Sequence, residues 1–142
     1  VPINEVYKNL AESISHEHIL FCHLTSPLVR ESSLRDCVRI YEKLPGEYDS
    51  LATVHTIQKF FWHEGQPVNY DPRKMPRSQD LPDYYALTFA FNIIPRDLMI
   101  CYENIIGKNF YPYHLDEIEC FDVDTELQFK VAEYIYGFCR EE

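Results

Sequence analysis

Apolar residues recur at helical spacing near the start of the chain. Six of them follow the i, i+3, i+4, i+7 pattern of one helix face: Ile3, Val6, Tyr7, Leu10, Ala11 and Ile14. Pro2 suits the first turn, where its missing N–H has no helical partner in any case. After a break near residues 13–15 the apolar stripe continues to Leu24, and Pro27 ends it. We therefore predict an interrupted helix over this segment.

Two more helical patterns follow in the first half. The second helix is predicted from Leu34 to Leu44, after a capping arrangement of Ser33 with Asp36, and the Pro45-Gly46 pair stops it. A third helix is predicted after a cap at Asp49 or Ser50, with Gly65 at its end. Its apolar positions are Leu51, Val54, Ile57, Phe61 and Trp62.

The chain changes character over residues 64–83. Four prolines exclude a regular helix there: Pro67, Pro72, Pro76 and Pro82. Connections of this length are uncommon inside a compact domain, so the segment is either functional or mobile. We interpret residues 1–142 as one globular domain with this proline-containing loop.

The second half contains both strand and helix patterns. Apolar residues alternate over Tyr84–Ile94 as in a half-buried strand, although the two alanines favour a helix; the alternation tips the prediction toward strand. A helix opens at Pro95, a short strand is predicted at Ile118–Val123, and a last helix begins at Thr125. The predicted fold class is mainly α with about five helices, or α+β with a small two-stranded element in the C-terminal half.

Composition narrows the classes of partner and compartment. The formal net charge is −10, which repels phosphate backbones and argues against nucleic-acid binding. No apolar run approaches the roughly 18 residues of a membrane span, and five scattered cysteines indicate reduced thiols. We predict no membrane association and an intracellular location, cytoplasmic or nuclear. Because the chain opens with Val1 rather than Met, an excised domain and a cleavage product both stay open.

Candidate metal ligands are few. His18 and Cys22 lie one turn apart if the segment is helical, like half of a zinc site, but no second pair follows at a zinc spacing. Histidines in solvent beside a buried cysteine are the favoured interpretation. Only four glycines are present, so phosphate-cradling loops are excluded and no cofactor is predicted.

A second chemical hypothesis uses carboxylates. Asp83, Glu117 and Glu119 are the candidate residues of a metal-dependent hydrolase or nuclease, since paired carboxylates hold Mg²⁺ or transfer protons. The motif that should accompany them is incomplete. A solvated acidic edge is the simpler interpretation, and we expect the protein not to be an enzyme.

The leading hypothesis is therefore a non-enzymatic interaction or oligomerisation domain, regulatory in role. Aromatic residues exceed what the predicted helix faces bury, and exposed rings with an acidic rim serve as interface anchors. Prolines and cations in the long loop add a local basic spot. The expected partner is another protein or a second copy, and host-modulating viral proteins share this composition. The candidate partner-binding residues are Phe60, Trp62, Tyr70, Arg73, Lys74, Arg77, Tyr111 and Tyr113.

Overall fold

The computed structural model of the chain describes residues 1–139, which form an α+β fold around a mixed sheet. The α-helices of this part are α1 (Ile3–Ser13), α2 (Glu31–Tyr41), α3 (Arg96–Tyr102) and α4 (Glu126–Cys139). The strands are β1 (His18–Cys22), β2 (Ser50–Ile57), β3 (Trp62–His63), β4 (Gln66–Pro67), β5 (Tyr84–Pro95) and β6 (Phe110–His114). The predicted class, mainly α with about five helices, is wrong.

The first predicted helix is confirmed as α1, but its continuation and the third predicted helix are strands. The third predicted helix is β2, whose residues Leu51, Ala52, Thr53 and Val54 are all fully buried. A central strand covered on both faces has a nearly continuous apolar sequence, so a spacing of three residues among its apolar positions carries no helical information. The continuation of the first helix beyond its break is β1, which pairs with β5.

Other predictions are confirmed or corrected locally. The strand over Tyr84–Ile94 is confirmed as β5, and helices α3 and α4 lie within the segments predicted for them. Helix α2 overlaps its predicted segment, but it begins at Glu31, so Ser33 lies inside the helix and is not its cap. The predicted strand at Ile118–Val123 is wrong, because turns occupy its first half. In the capping box of α4, the Gln128 backbone N–H donates to Thr125 Oγ1 over 3.2 Å.

The four-stranded sheet has the order β1-β5-β2-β6, and β3 with β4 forms a separate hairpin. Strand β5 runs antiparallel to β1 and β2, whereas β2 and β6 are parallel. Helices α1 and α3 share one core cluster with Ile19 and Ile94, while α2 covers the cluster that contains Leu51 and Ile93. The sheet is therefore the middle layer, and alternate residues of β5 serve opposite cores.

The start of β6 is fixed by side chains at the start of β2. Asp49 Oδ2 accepts the backbone N–H groups of Lys108 and Asn109 over 2.9 and 3.2 Å, and Ser50 Oγ accepts that of Gly107 over 3.0 Å. A Cβ on Gly107 would lie 2.1 Å from an Asp49 carboxylate oxygen, so this close approach requires glycine. The predicted helix caps, Asp49 and Ser50, instead hold a parallel strand in register.

A wide irregularity interrupts the pairing of β2 with β5. Ala52 pairs with Asn92 and Val54 with Leu87, so Thr53 alone lies opposite residues 88–91. The buried Thr53 hydroxyl donates to the Phe91 carbonyl and accepts the Phe91 N–H, each over 3.1 Å. It also accepts the Thr88 hydroxyl over 2.7 Å. A side chain thus satisfies backbone groups that the strand ladder leaves without partners.

Phe89, inside this irregularity, has the backbone φ of a glycine. Its φ is 56°, in the left-handed region where a Cβ costs roughly 1–2 kcal/mol. Such strain persists only where the surrounding structure fixes the backbone, which here is the paired threonines.

None of the helices in residues 1–139 combines the length and the apolarity needed to cross a membrane.

Comparing glycine with alanine at position 89 tests the strain directly. Both variants lack the ring, so their stability difference reports the backbone alone, and we expect Phe89→Gly to be more stable than Phe89→Ala by about 1 kcal/mol. Urea unfolding measures both. The matched control is Leu87, a regular β5 position, where the glycine variant should be the less stable one by about 0.5–1 kcal/mol. The same order at both positions would contradict a strained Phe89.

Candidate functional site

The irregular strand and the end of β1 together form the candidate site. His23 directly follows β1, and its backbone N–H donates to the Ala90 carbonyl over 3.4 Å. Its imidazole lies between two rings, with centroids 5.1 Å from Phe21 and 5.6 Å from Phe89. The Nε2 atom is buried and has no hydrogen-bond partner among residues 1–139. Since a buried polar atom without a partner is costly, a water molecule or an external ligand is needed to satisfy it.

Asn92 is the second unpartnered group. It is fully buried in β5 opposite Phe21 on one side and Ala52 on the other, and neither Nδ2 nor Oδ1 has a partner in the described part of the chain. Because side chains alternate along a strand, Phe21 and His23 lie on the same face of the sheet as Asn92. We refer to Phe21, His23, Phe89 and Asn92 as the β1 site.

Two connections form the rest of this end of the sheet. One is residues 23–30, which lead from β1 to α2, and the other is residues 115–125, which lead from β6 to α4. They meet where the Val123 backbone N–H donates to the Thr25 carbonyl over 2.9 Å. Val123 stands between Asp122 and Asp124, both exposed, so two acidic residues flank the point where the connections meet.

A charged cluster joins the same two connections. The Arg30 backbone N–H donates to Glu119 Oε1 over 2.8 Å, and its guanidinium reaches Glu119 Oε2 over 3.2 Å as well as Asp116. Glu119 is only 3% exposed, whereas the Asp116 side chain is about half exposed. A bond from the Glu119 backbone N–H, with help from the nearby Arg30 guanidinium, lowers the pKa of Asp116.

The carboxylates of the hydrolase hypothesis lie apart in different settings. Glu119 is occupied by Arg30, Glu117 is exposed, and Asp83 accepts a bond from Gln58 Nε2 over 2.8 Å at the opposite end of β5. In the part that the structure describes, no group of three or more His, Cys, Asp or Glu side chains is arranged to hold a metal ion.

The two candidate zinc ligands are also separated, because their segment is a strand and not a helix. His18 and Cys22 belong to β1, where four residues span about 13 Å, so the two side chains are too far apart to share one ion. His18 Nδ1 instead bonds the Tyr41 hydroxyl over 2.9 Å. Burial raises the pKa of Tyr41 to about 12, which keeps the hydroxyl protonated at neutral pH.

Three of the candidate partner-binding aromatics gather on the arm that carries β3 and β4. Tyr70 packs edge-on against Phe60 with ring centroids 4.9 Å apart, and its hydroxyl accepts the Trp62 indole N–H over 2.6 Å. Trp62 is 59% exposed. We call Phe60, Trp62 and Tyr70 the aromatic arm. Phe61 contacts Tyr84 instead.

The remaining candidate residues have other surroundings. Tyr111 and Tyr113 are half-buried in β6, against the core cluster under α2. Arg73 and Arg77 lie beside acids of their own loop, Asp71 at 3.7 Å and Asp80 at 2.8 Å. Lys74 is exposed in the same loop.

None of His23, Phe89 and Asn92 was singled out from the sequence as a binding residue. A signal for Asn92 was present, because it interrupts the apolar run from Phe91 to Ile94. An amide inside a buried strand needs partners, which marks it for attention. Phe89 gave no signal, since its positive φ arises from pairing with β2.

Comparison with known proteins yields partial similarities. The chain matches no protein-family profile. It is 31% identical over 72 residues to the post-translational flagellin modification protein B of Campylobacter coli, covering 51% of this chain and 31% of that protein. It is 33% identical over 57 residues to the CMP-N,N'-diacetyllegionaminic acid synthase of Campylobacter jejuni, covering 40% of this chain and 24% of the synthase. The similarity thus spans about a third and a quarter of these curated relatives.

The charged cluster predicts an acid-sensitive contribution to stability. The pKa of Asp116 is lower in the folded than in the unfolded protein, so its ionised form stabilises the fold above about pH 4. That stabilisation is lost as the pH falls through the folded-state pKa. We expect Asp116→Asn to lower the free energy of unfolding at neutral pH and to match the wild type at low pH, as measured by urea unfolding between about pH 7 and pH 2.

The control is Glu117→Gln, which removes the same charge from an exposed neighbour. A general effect of net charge would appear in both variants. A deficit of Asp116→Asn that is unchanged across this pH range would contradict the assignment.

Proposed function

We propose that the β1 site binds the sugar of a CMP-linked acidic sugar, and that the chain is a substrate-binding portion of a synthase for such a compound. The observation that carries the proposal is the unpartnered pair of polar side chains, His23 and Asn92, beside a strained Phe89. The ligand class comes from the similarity to a synthase whose name specifies CMP joined to a diacetylated sugar acid.

The chemistry of the site suits the neutral part of such a ligand. Sugar hydroxyl and acetamido groups both donate and accept hydrogen bonds, and the Asn92 amide and the His23 imidazole offer both functions in return. The rings of Phe21 and Phe89 supply apolar faces around the imidazole. Phe89 is 36% exposed, and the proposal requires its ring to rotate away from His23 so that a ligand can reach Nε2.

The charged part of the ligand meets a different environment. The chain carries a net charge of −10, and Asp122 and Asp124 stand near the His23 connection. A phosphate there is repelled unless a cation accompanies it, and Mg²⁺ is often held by one or two carboxylates together with substrate phosphates. Binding of the CMP-linked ligand should therefore strengthen when Mg²⁺ is added.

A second function is proposed for the aromatic arm, namely docking onto another protein or a second copy of the chain without catalysis. The observation that favours it is the 59% exposure of Trp62 while its indole N–H is already bonded to Tyr70. The exposed ring can be covered without stripping a polar group of water, which is how rigid aromatic anchors stabilise interfaces. Glu64 and Asp71, both exposed, provide an acidic rim.

The ligand proposal is tested by calorimetric titration with CMP-N,N'-diacetyllegionaminic acid, the free sugar acid and CMP, each with and without Mg²⁺. We expect His23→Leu to weaken binding of both sugar-containing ligands about tenfold, because a buried hydrogen bond is lost. CMP alone should be unaffected.

His63→Leu makes the same change at an exposed position of the β3–β4 hairpin and should bind like the wild type. Absence of binding by the wild-type chain, or equal affinities of wild type and His23→Leu, would refute the proposal.

The docking proposal is tested with the intrinsic fluorescence of Trp62, the only tryptophan in the chain. Covering the ring removes it from water, so its emission should shift to the blue as protein concentration or partner concentration rises. Trp62→Ala should abolish association measured by light scattering, whereas Tyr134→Ala, which removes an exposed ring from α4, should leave it intact. A monomer with unshifted emission at high concentration would eliminate self-association, and equal loss in both variants would exclude a specific role of the arm.

A further inference from the structure

The Arg30–Glu119 pair joins two connections that the chain separates by 89 positions. Arg30 ends the connection that begins with His23, and Glu119 lies within the connection that contains Val123. Between them runs the backbone bond from Val123 to Thr25, two residues beyond His23. The ion pair and this backbone bond therefore join the two connections at two successive points. The β1 site lies at the His23 end of the first connection.

Glu119 is the buried member of the pair, since the Arg30 side chain is half exposed. The Glu119 side chain is 4% exposed, and removing a carboxylate from water costs several kcal/mol before any attraction is counted. Buried ion pairs are often replaced by apolar residues of similar volume with no loss of stability, and in some proteins their directional bonds select one arrangement. Glu119 takes one bond from the Arg30 backbone and one from its guanidinium, so it fixes both the chain and the side chain of Arg30.

Neighbouring groups make the arrangement specific. Asp116 accepts the backbone N–H groups of Ile118 and Glu119 over 3.0 and 2.9 Å, and so sets the turn from which the Glu119 side chain projects. The Asp116 carboxylate also receives the Arg30 guanidinium. The Arg30 guanidinium thus contacts the carboxylate that sets the turn at residues 116–119, while Arg30 itself ends the 23–30 connection.

We infer that Arg30 and Glu119 are positioning residues, which hold His23 at the orientation needed to bind a CMP-linked acidic sugar and keep the 115–125 connection against the 23–30 connection. The inference rests on the proposed function for its ligand, although the positional claim can be measured without one. Neither residue belongs to the β1 site itself, and both act through the backbone of the two connections.

The decisive variant replaces both partners, Arg30→Met with Glu119→Met. We expect it to unfold cooperatively with a melting temperature within about 5 °C of the wild type, because the buried Glu119 charge is removed together with its partner. In the folded state, the NMR resonances of the His23 ring should shift and the Val123 amide should exchange at least about tenfold faster, since its local opening is less costly. Affinity for CMP-N,N'-diacetyllegionaminic acid should fall about tenfold.

The matched control is Glu31→Met with Arg35→Met, an exposed ion pair of α2 with a 2.8 Å bond from Arg35 Nε. It removes the same two residue types and should leave the His23 resonances, the Val123 exchange rate and the affinity unchanged. Arg30→Lys keeps the charge and the backbone N–H but loses the planar guanidinium, so an intermediate affinity is expected.

The outcomes separate the two proposals. If the wild-type chain binds none of the ligands, the proposed function fails, while the His23 resonances and the Val123 exchange rate still decide the positional claim. Unchanged resonances and exchange in the folded double variant would overturn the inference. Should the double variant not fold, Arg30→Lys carries the same readouts, and unchanged His23 resonances there would overturn it equally.

Discussion

The Thr53 hydroxyl is the contact on which the arrangement of the sheet depends. It replaces strand partners for Phe91 and accepts the Thr88 hydroxyl, so four residues of β5 can bend away from a single residue of β2. A bulge of this kind changes the direction of the side chains that follow it. Here it brings the Ala90 carbonyl to His23 and holds Phe89 in a conformation that most residues avoid. The Thr53 hydroxyl thereby stabilises the irregularity between β2 and β5, which lies beside His23 and Asn92.

Helices were largely predictable because each has one apolar face. The spacing of Leu34, Cys37 and Val38 and the Thr125–Gln128 cap are local features, and local features survive folding. Strand β5 was also recognisable from its alternation. Strand β2 was not, since its burial on both faces erases the period of two and leaves apolar residues at every third position. Assigning it would have required the knowledge that two layers of helices cover the sheet.

The candidate site was less accessible to sequence reasoning than the fold. Its polar members were visible as residues, but Asn92 becomes unusual only when β1 and β2 pack on either side of it. Glu119 was predicted as a candidate catalytic carboxylate, whereas the structure shows that it bonds to Arg30. The aromatic arm was inferred from a helix that does not exist, yet Trp62 is exposed because a hairpin lifts it away from the sheet. The role of each side chain depends on contacts with residues far away in the sequence, and no local sequence pattern predicts those contacts.

The pairing of β2 with β6 has a consequence for how the chain folds. All strand pairs of the four-stranded sheet join distant segments, from Ile57 with Tyr84 to Ser50 with Phe110 and His18 with Pro95. Closing such long loops has an entropic cost that must be met before the contacts compensate for it, so sheets with non-local pairing form slowly. Gly107 contributes here too, because the parallel strand can dock only when Ser50 and Asp49 together reach residues 107–109 without obstruction by a side chain. Assembly of this protein is therefore limited by the search for partners along the chain rather than by the formation of its helices.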